Sequence, residues 1–141
     1  AIAAKIVHPE RTVVCFAGDG DFQMNCTELA TALQAGAQPI ILVLNNGIYG
    51  TIRAHQERHY PERVSGTTMS RNPDFVALAK AYGLHAERVE ATGEFPAAFE
   101  RARASGSGAL LDLVIAPEAI TPRQTLNQIR QQALAAKEIT S

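Results

Sequence analysis

Thr12-Val-Val-Cys-Phe-Ala-Gly-Asp-Gly-Asp21, followed after a helical stretch by Pro39-Ile-Ile-Leu-Val-Leu-Asn-Asn-Gly47, decides the fold of this chain. Residues 12–17 and 40–44 are short, almost wholly apolar runs rich in β-branched side chains, and each stops at Gly or Asn. Such runs are too short for helices and describe strands buried on both faces. Between them, Asn25-Cys-Thr-Glu28 has capping-box spacing, with Asn25 as N-cap and Glu28 reaching back. Leu29, Ala30, Ala32 and Leu33 then predict a helix, and Gly36 suits its C′ position. Strand, helix and strand in so few residues predict a right-handed βαβ unit with parallel strands.

The same reading extends outward. Asn72-Pro73 makes a turn before a helix over Asp74–Tyr82, where Phe75, Leu78, Ala79 and Tyr82 share a face and Gly83 ends it. His85–Val89 is a short strand, Glu94–Ala104 a helix, and Ala109–Ile115 the last strong strand. Thr121-Pro122 has the form of N-cap and N1 of a closing amphipathic helix carrying Leu126, Ile129 and Ala133. The alternation predicts an α/β fold, a mostly parallel sheet flanked by helices. Residues 53–71 are polar, lack clear periodicity and contain Pro61 and Gly66, which predicts a functional or mobile loop.

At 141 residues, with 46% apolar and 19% charged side chains, the chain has the makings of one soluble domain with one core. A net charge of -1 gives no broad attraction to nucleic acid or to an anionic membrane. Apolar stretches such as Pro39–Leu44 are far too short to span a bilayer. Cys15 and Cys26 form neither a disulfide framework nor a zinc pattern; read as buried thiols, they suggest a reducing, cytoplasmic setting. Ala1–Val7 is helix-like but begins without a cap, a Met or a turn, like the second half of a helix. The expectation is therefore an N-terminally truncated, partial domain over 1–141, with 117–141 as a helical tail.

Ligands of parallel α/β sheets gather beyond the carboxyl ends of the strands. There the first strand presents Gly18-Asp19-Gly20-Asp21 and the second Asn45-Asn46-Gly47. One carboxylate, one amide oxygen and a main-chain carbonyl suit Mg²⁺, which wants about six oxygens with few carboxylates, the rest from phosphate and water. Gly20 and Gly47 let backbone approach a phosphate, and the helix expected near Asn25 adds a favourable dipole. The pattern predicts a metal-bridged diphosphate.

Gly18-Asp-Gly20, Phe22-Gln-Met24, Glu28-Leu-Ala-Thr-Ala32 and Asn45-Asn46 resemble the GDG…NN signature of thiamine diphosphate enzymes. Asn45-Asn-Gly-Ile-Tyr-Gly50 especially resembles the acetolactate synthase and benzoylformate decarboxylase branch. The likeness runs through Asp74–Gly83 and thins after about Gly93. It implies the diphosphate-binding domain of that fold, with Asp19, the Asn46 side chain and the Ile48 main-chain oxygen on Mg²⁺. Gly20, Asp21, Asn46, Gly47, Ile48 and Tyr49 would hold the cofactor. Asp21 departs from the small neutral residue common there, and a carboxylate beside phosphate is tolerable only if it points away or caps the helix.

The resemblance also implies a larger enzyme acting on a 2-oxo acid by decarboxylation and carboligation, a homodimer or homotetramer. A pyrimidine-binding domain, usually from a second subunit, would supply the activating glutamate, and some relatives carry FAD elsewhere. No catalytic residue is then expected in this chain, and the isolated fragment should be inactive and prone to self-association. Two alternatives stand beside it: simple 2-oxo acid decarboxylation, and an aspartate-nucleophile phosphatase using Asp19 and Asp21, which Gln23 and the Asn pair fit poorly. His55 and His59 have the spacing of a metal pair but no third ligand, so a solvated loop is expected. Phe22 and Met24 are expected to pack inward, His8 and His85 to lie at the surface, and Arg123 and Arg130 to be solvated.

Overall fold

The computed structural model describes residues 1–140, with side chains to residue 137. In chain order the elements are α1 (Ile2–Val7), β1 (Val14–Gly18), α2 (Asp19–Asn25), α3 (Glu28–Gln34), β2 (Ile40–Asn45) and α4 (Gly50–His59). There follow α5 (Phe75–Ala81), β3 (His85–Val89), a 3₁₀ turn at Thr92–Glu94, α6 (Phe95–Ala104), β4 (Ala109–Val114) and α7 (Leu126–Thr140). They divide into two compact units: Ala1–Asn45 with Pro73–Val114, and Asn46–Asn72 with the residues from Ile115 onward.

The first unit is built on a sheet of order β1-β2-β4-β3, parallel throughout. Successive strand residues face opposite sides, so each of the two central strands feeds two cores. Ile41, Val43 and Leu110 meet α2, α3 and α5 through Phe22, Leu29, Phe75 and Ala79, while Ile40, Leu42 and Leu111 meet Ala98 and Ala102 of α6. Phe22 and Phe75 pack edge to face, with centroids 5.6 Å apart at 79°. The expected parallel pairing with residues 40–44 is present from Val14 onward, and so are the strands at 85–89 and 109–114. Against expectation, β1 lies at the edge of the sheet and is not buried on both faces: Phe16 is 69% exposed.

Helix boundaries differ from the sequence reading for local electrostatic reasons. The expected helix over Leu29–Leu33 is α3, with Thr27 rather than Asn25 as N-cap, and an unexpected helix, α2, precedes it from Asp19: Gly18 is its N-cap, and the Asp21 carboxylate accepts the Gly18 N–H at 3.3 Å. With that cap in place Asn25 ends α2, and Glu28, instead of reaching back, accepts the Thr31 hydroxyl at 2.7 Å. Phe22 is buried as expected, but Met24 is 72% exposed, on the outer side of α2. Cys15 and Cys26 are free thiols, half-buried rather than sealed. His8 is exposed, whereas His85 is half-buried and its Nε2 lies 2.7 Å from the Glu87 carboxylate.

In the second unit, α4 occupies the first part of the segment expected to be loop. Its inward residues are Ala54 and Glu57, so no apolar periodicity marks it in the sequence. His55 and His59 are exposed as expected, but on a helix, with their rings stacked 6.1 Å apart. The closing helix starts later than Thr121. The Thr121 hydroxyl accepts the N–H groups of Arg123 and Gln124 in a turn, and the capping box is Thr125 with Gln128, bonded reciprocally at 2.8 and 3.2 Å. Leu126 and Ile129 pack with Ile48 and Ala54 in the small core of this unit.

Candidate functional site

In the first unit, β1 and β2 run out at the same edge of the sheet, because Gly18 and Leu44 are register partners. Asp19 is the next residue after β1, is 2% exposed, and accepts the Gly20 N–H at 3.0 Å. Asp21, exposed on the first turn of α2, spends a carboxylate oxygen on the Gly18 N–H. That meets the condition under which an acid is tolerable at this position.

Asn45 closes β2, and its amide nitrogen donates to Asp112 Oδ1 at 2.9 Å. Arg88 donates to Asp112 Oδ2, also at 2.9 Å. Asp112 lies within the apolar run of β4, 2% exposed, and the two bonds satisfy a carboxylate that burial alone would destabilise. The Arg88 guanidinium is raised above its ordinary value, first by its bond to Glu90, against burial, and then by Asp112. The sequence reading gave Asp112 no role, although an acid inside a buried strand is a legible signal.

Asn46 follows Asn45 and opens the second unit. Its Oδ1 accepts the Ile48 N–H at 3.1 Å. Gly47 has φ +67, a left-handed conformation that favours glycine. Ile48 forms an antiparallel bridge with Thr68, flanked by Tyr49 N–H to the Thr67 carbonyl at 3.0 Å and Met69 N–H to the Gly47 carbonyl at 2.8 Å. Peptide groups alternate along an antiparallel pair, so when residues 47 and 49 bond to the partner, the N–H and C=O of Ile48 face the other way. Tyr49 is 41% exposed, just ahead of α4.

Behind this segment lies a node the sequence reading missed. Glu57 is fully buried and receives Arg53 Nε at 3.1 Å, Arg130 Nε at 2.7 Å and an Arg130 Nη2. Its carboxyl is held below the usual carboxylate range, chiefly by the Arg130 guanidinium; burial opposes this and Arg53 adds to it. Arg130, expected in solvent, is therefore a core partner of α4, while Arg123 is exposed as expected. The i,i+4 spacing of Arg53 and Glu57 was readable; the 73-residue reach to Arg130 was not.

Each unit thus presents oxygen donors and backbone suited to a hard cation and its anion: a buried carboxylate in the first, and in the second an amide oxygen with an Ile48 carbonyl turned away from the paired segment. Among the described residues no group of three or more His, Cys, Asp or Glu side chains is placed to hold a metal. None of the described helices is long and apolar enough to cross a membrane.

Comparison with known proteins bears on the same residues. The family model "Thiamine pyrophosphate enzyme, C-terminal TPP binding domain" matches residues 1–113. The acetolactate synthase isozyme 2 large subunit of Escherichia coli is 38% identical over 71% of this chain, and a probable acetolactate synthase large subunit of Methanococcus aeolicus is 35% identical over 83%. The chain spans only 18% and 20% of the length of those two relatives. The thiamine diphosphate-dependent 4-hydroxybenzoylformate decarboxylase of Rhodococcus jostii RHA1 superposes with a TM-score of 0.76 at 30% identity, over 82% of this chain and 22% of that one. These comparisons lend no support to an aspartate-nucleophile phosphatase. Parallel βαβ architecture, the paired GDG and NN turns and these matches agree: the chain belongs to the thiamine pyrophosphate enzymes, as a C-terminal TPP binding domain.

Proposed function

We propose that this chain holds Mg²⁺ and the diphosphate of thiamine diphosphate within a larger enzyme that acts on 2-oxo acids, with acetolactate synthase-like carboligation. The observation that carries the reading is the register of Gly18 with Leu44, which ends β1 and β2 together and so sets Asp19 beside the strand that leads into Asn46.

The donor set suits the ion. Asp19 supplies one anionic oxygen, Asn46 its amide oxygen and Ile48 its carbonyl, leaving positions for phosphate oxygens and water. One carboxylate against a divalent cation leaves positive charge, which the diphosphate neutralises. Gly20, Asp21, Gly47 and Tyr49 line the diphosphate mainly through backbone, and the engagement of Asp21 with Gly18 keeps its charge occupied. When bound, the cofactor supplies the carbanion chemistry that makes or breaks the bond beside a carbonyl. The residues of this chain anchor and orient; the proton relay on the aminopyrimidine belongs to a pyrimidine-binding domain, usually a second subunit's, in a homodimer or homotetramer. The isolated chain is then inactive, the enzyme is cytoplasmic, and any FAD sits elsewhere.

Simple decarboxylation is the second reading, favoured by the likeness to the 4-hydroxybenzoylformate decarboxylase. Product analysis with pyruvate and with benzoylformate separates the two, since carboligation yields acetolactate from pyruvate whereas simple decarboxylation releases only the aldehyde of the 2-oxo acid accepted. For the site, Mg²⁺-dependent binding of thiamine diphosphate to the intact protein is measured by titration calorimetry. Asp19→Ala and Asn46→Ala should each abolish the Mg²⁺ dependence; normal cofactor affinity in either variant refutes the assignment.

A further inference from the structure

We propose that Glu57, acting through Arg53, is a positioning residue that sets the Ile48 carbonyl for the metal; the proposal rests on the reading of Ile48 as a ligand. The Glu57 side chain is fully buried in α4, and charge in such a place needs a reason. Replacing a buried ion pair by apolar side chains is often neutral or stabilising, so stability alone is a weak one. What the node does geometrically is specific.

Arg130 of α7 bonds both oxygens of Glu57. Oε1 also accepts Arg53 Nε and so orients that side chain, and the other end of the Arg53 fork, Nη1, stands 3.4 Å from the hydroxyl oxygens of both Thr67 and Thr68. Gln56, three residues after Arg53 on α4, takes hold of the same segment: its Nε2 donates to the Ser65 carbonyl at 2.8 Å, and its Oε1 accepts from Ser65 N–H and the Thr67 hydroxyl at 3.3 Å each. Residues 65–68 are thus fastened to α4 by two neighbouring side chains. That fastened segment is the one that pairs with 47–49 and so turns the Ile48 carbonyl away from itself. Every link lies within the second unit. The path runs from α7 through Glu57 and Arg53 to Thr68 and across the bridge to Ile48.

A bound divalent ion tolerates little misplacement of its ligands, and side chains that orient metal ligands typically change metal affinity by about 10–100-fold when removed. Mg²⁺ is titrated into the intact protein at fixed thiamine diphosphate, with calorimetric detection, for Glu57→Gln and Arg53→Gln. Both should raise the Mg²⁺ concentration at half-saturation by about tenfold or more. Amide exchange over 47–49 and 65–69 should quicken in the same variants, which a merely global destabilisation would not confine to these residues. Arg53 is about one-fifth exposed, and Arg53→Gln leaves the Arg130–Glu57 pair intact, so it decides the matter if Glu57→Gln does not fold. An unmoved Mg²⁺ requirement in folded Arg53→Gln overturns the proposal. Asp19→Ala run alongside separates the two levels. If it abolishes cofactor binding while both positioning variants bind Mg²⁺ normally, only the positioning role fails; if it binds normally, the site itself is misassigned.

Discussion

Asp112 allows a quantitative test of how the end of β2 is held. Two partners meet its buried carboxylate, but they differ in exposure. The Arg88 side chain is 50% exposed and also pairs with Glu90, so its bond to Asp112 should be worth about 0.2–1 kcal/mol, the range of exposed ion pairs. The Asn45 amide donates to a charged acceptor in a part-buried setting, where such a bond contributes about 1.5–3 kcal/mol. Asp112→Ala should therefore cost about 2 kcal/mol, since part of the lost bonding is offset by relief of a desolvated charge. Asp112→Asn, which keeps an acceptor oxygen, should cost about 1 kcal/mol. Urea unfolding of the single and double variants gives the couplings directly, and the cycle cancels whatever else Asn45 touches. Asn45→Ala with Asp112→Ala should couple by about 1.5–3 kcal/mol, and Arg88→Gln with Asp112→Ala by less than about 1 kcal/mol. A larger coupling to Arg88 than to Asn45 would refute the argument that exposure decides between them.

Two further outcomes follow from the packing and charge of the first unit. Phe75→Ala removes a fully buried ring and should cost about 3–5 kcal/mol in chemical denaturation, with about 0.5–1.5 kcal/mol of that lost from its edge-to-face contact with Phe22; a loss below about 1 kcal/mol would show that the site collapses without penalty. Glu87 is held down to about 2, first by the Arg101 guanidinium, against burial, and then by His85. A carboxyl depressed in the folded state contributes stability that is complete above its ordinary range and lost as pH falls toward about 2, so acid titration of unfolding should show a decline in that window that Glu87→Gln lacks.

Several elements were legible because a local signal and a buried face coincided. Residues 40–44 are apolar on both faces, which suits a parallel strand covered on both sides, and residues 12–17 carry the same pattern although the edge strand they form leaves Phe16 69% exposed; the paired GDG and NN turns sit where the two strands stop. Asp74 was readable as the start of α5, and its carboxylate does accept the Ala77 N–H at 2.8 Å. Other elements were illegible because the deciding partner was not local. α4 shows no apolar stripe because one of its two inward residues is Glu57, whose burial makes sense only once Arg130 arrives from the far end of the chain. α2 is illegible because Gly18, its N-cap, carries no side-chain signal and is held by the Asp21 carboxylate three residues on, while Asn25, expected to cap the next helix, ends α2 and leaves Thr27 as the N-cap of α3.

The sequence by itself determined the class of fold, the order of strands and helices around the βαβ unit, and the family, because period-specific burial and short turn motifs are properties of neighbouring residues. Only the tertiary structure decided which charges are buried and what they serve. Asp112 satisfies Asn45 and Arg88, and Glu57 binds Arg130 across 73 residues of chain. A buried charge is tolerated only where its partners are brought to it, and for these two acids the fold, rather than any local motif, brings them there.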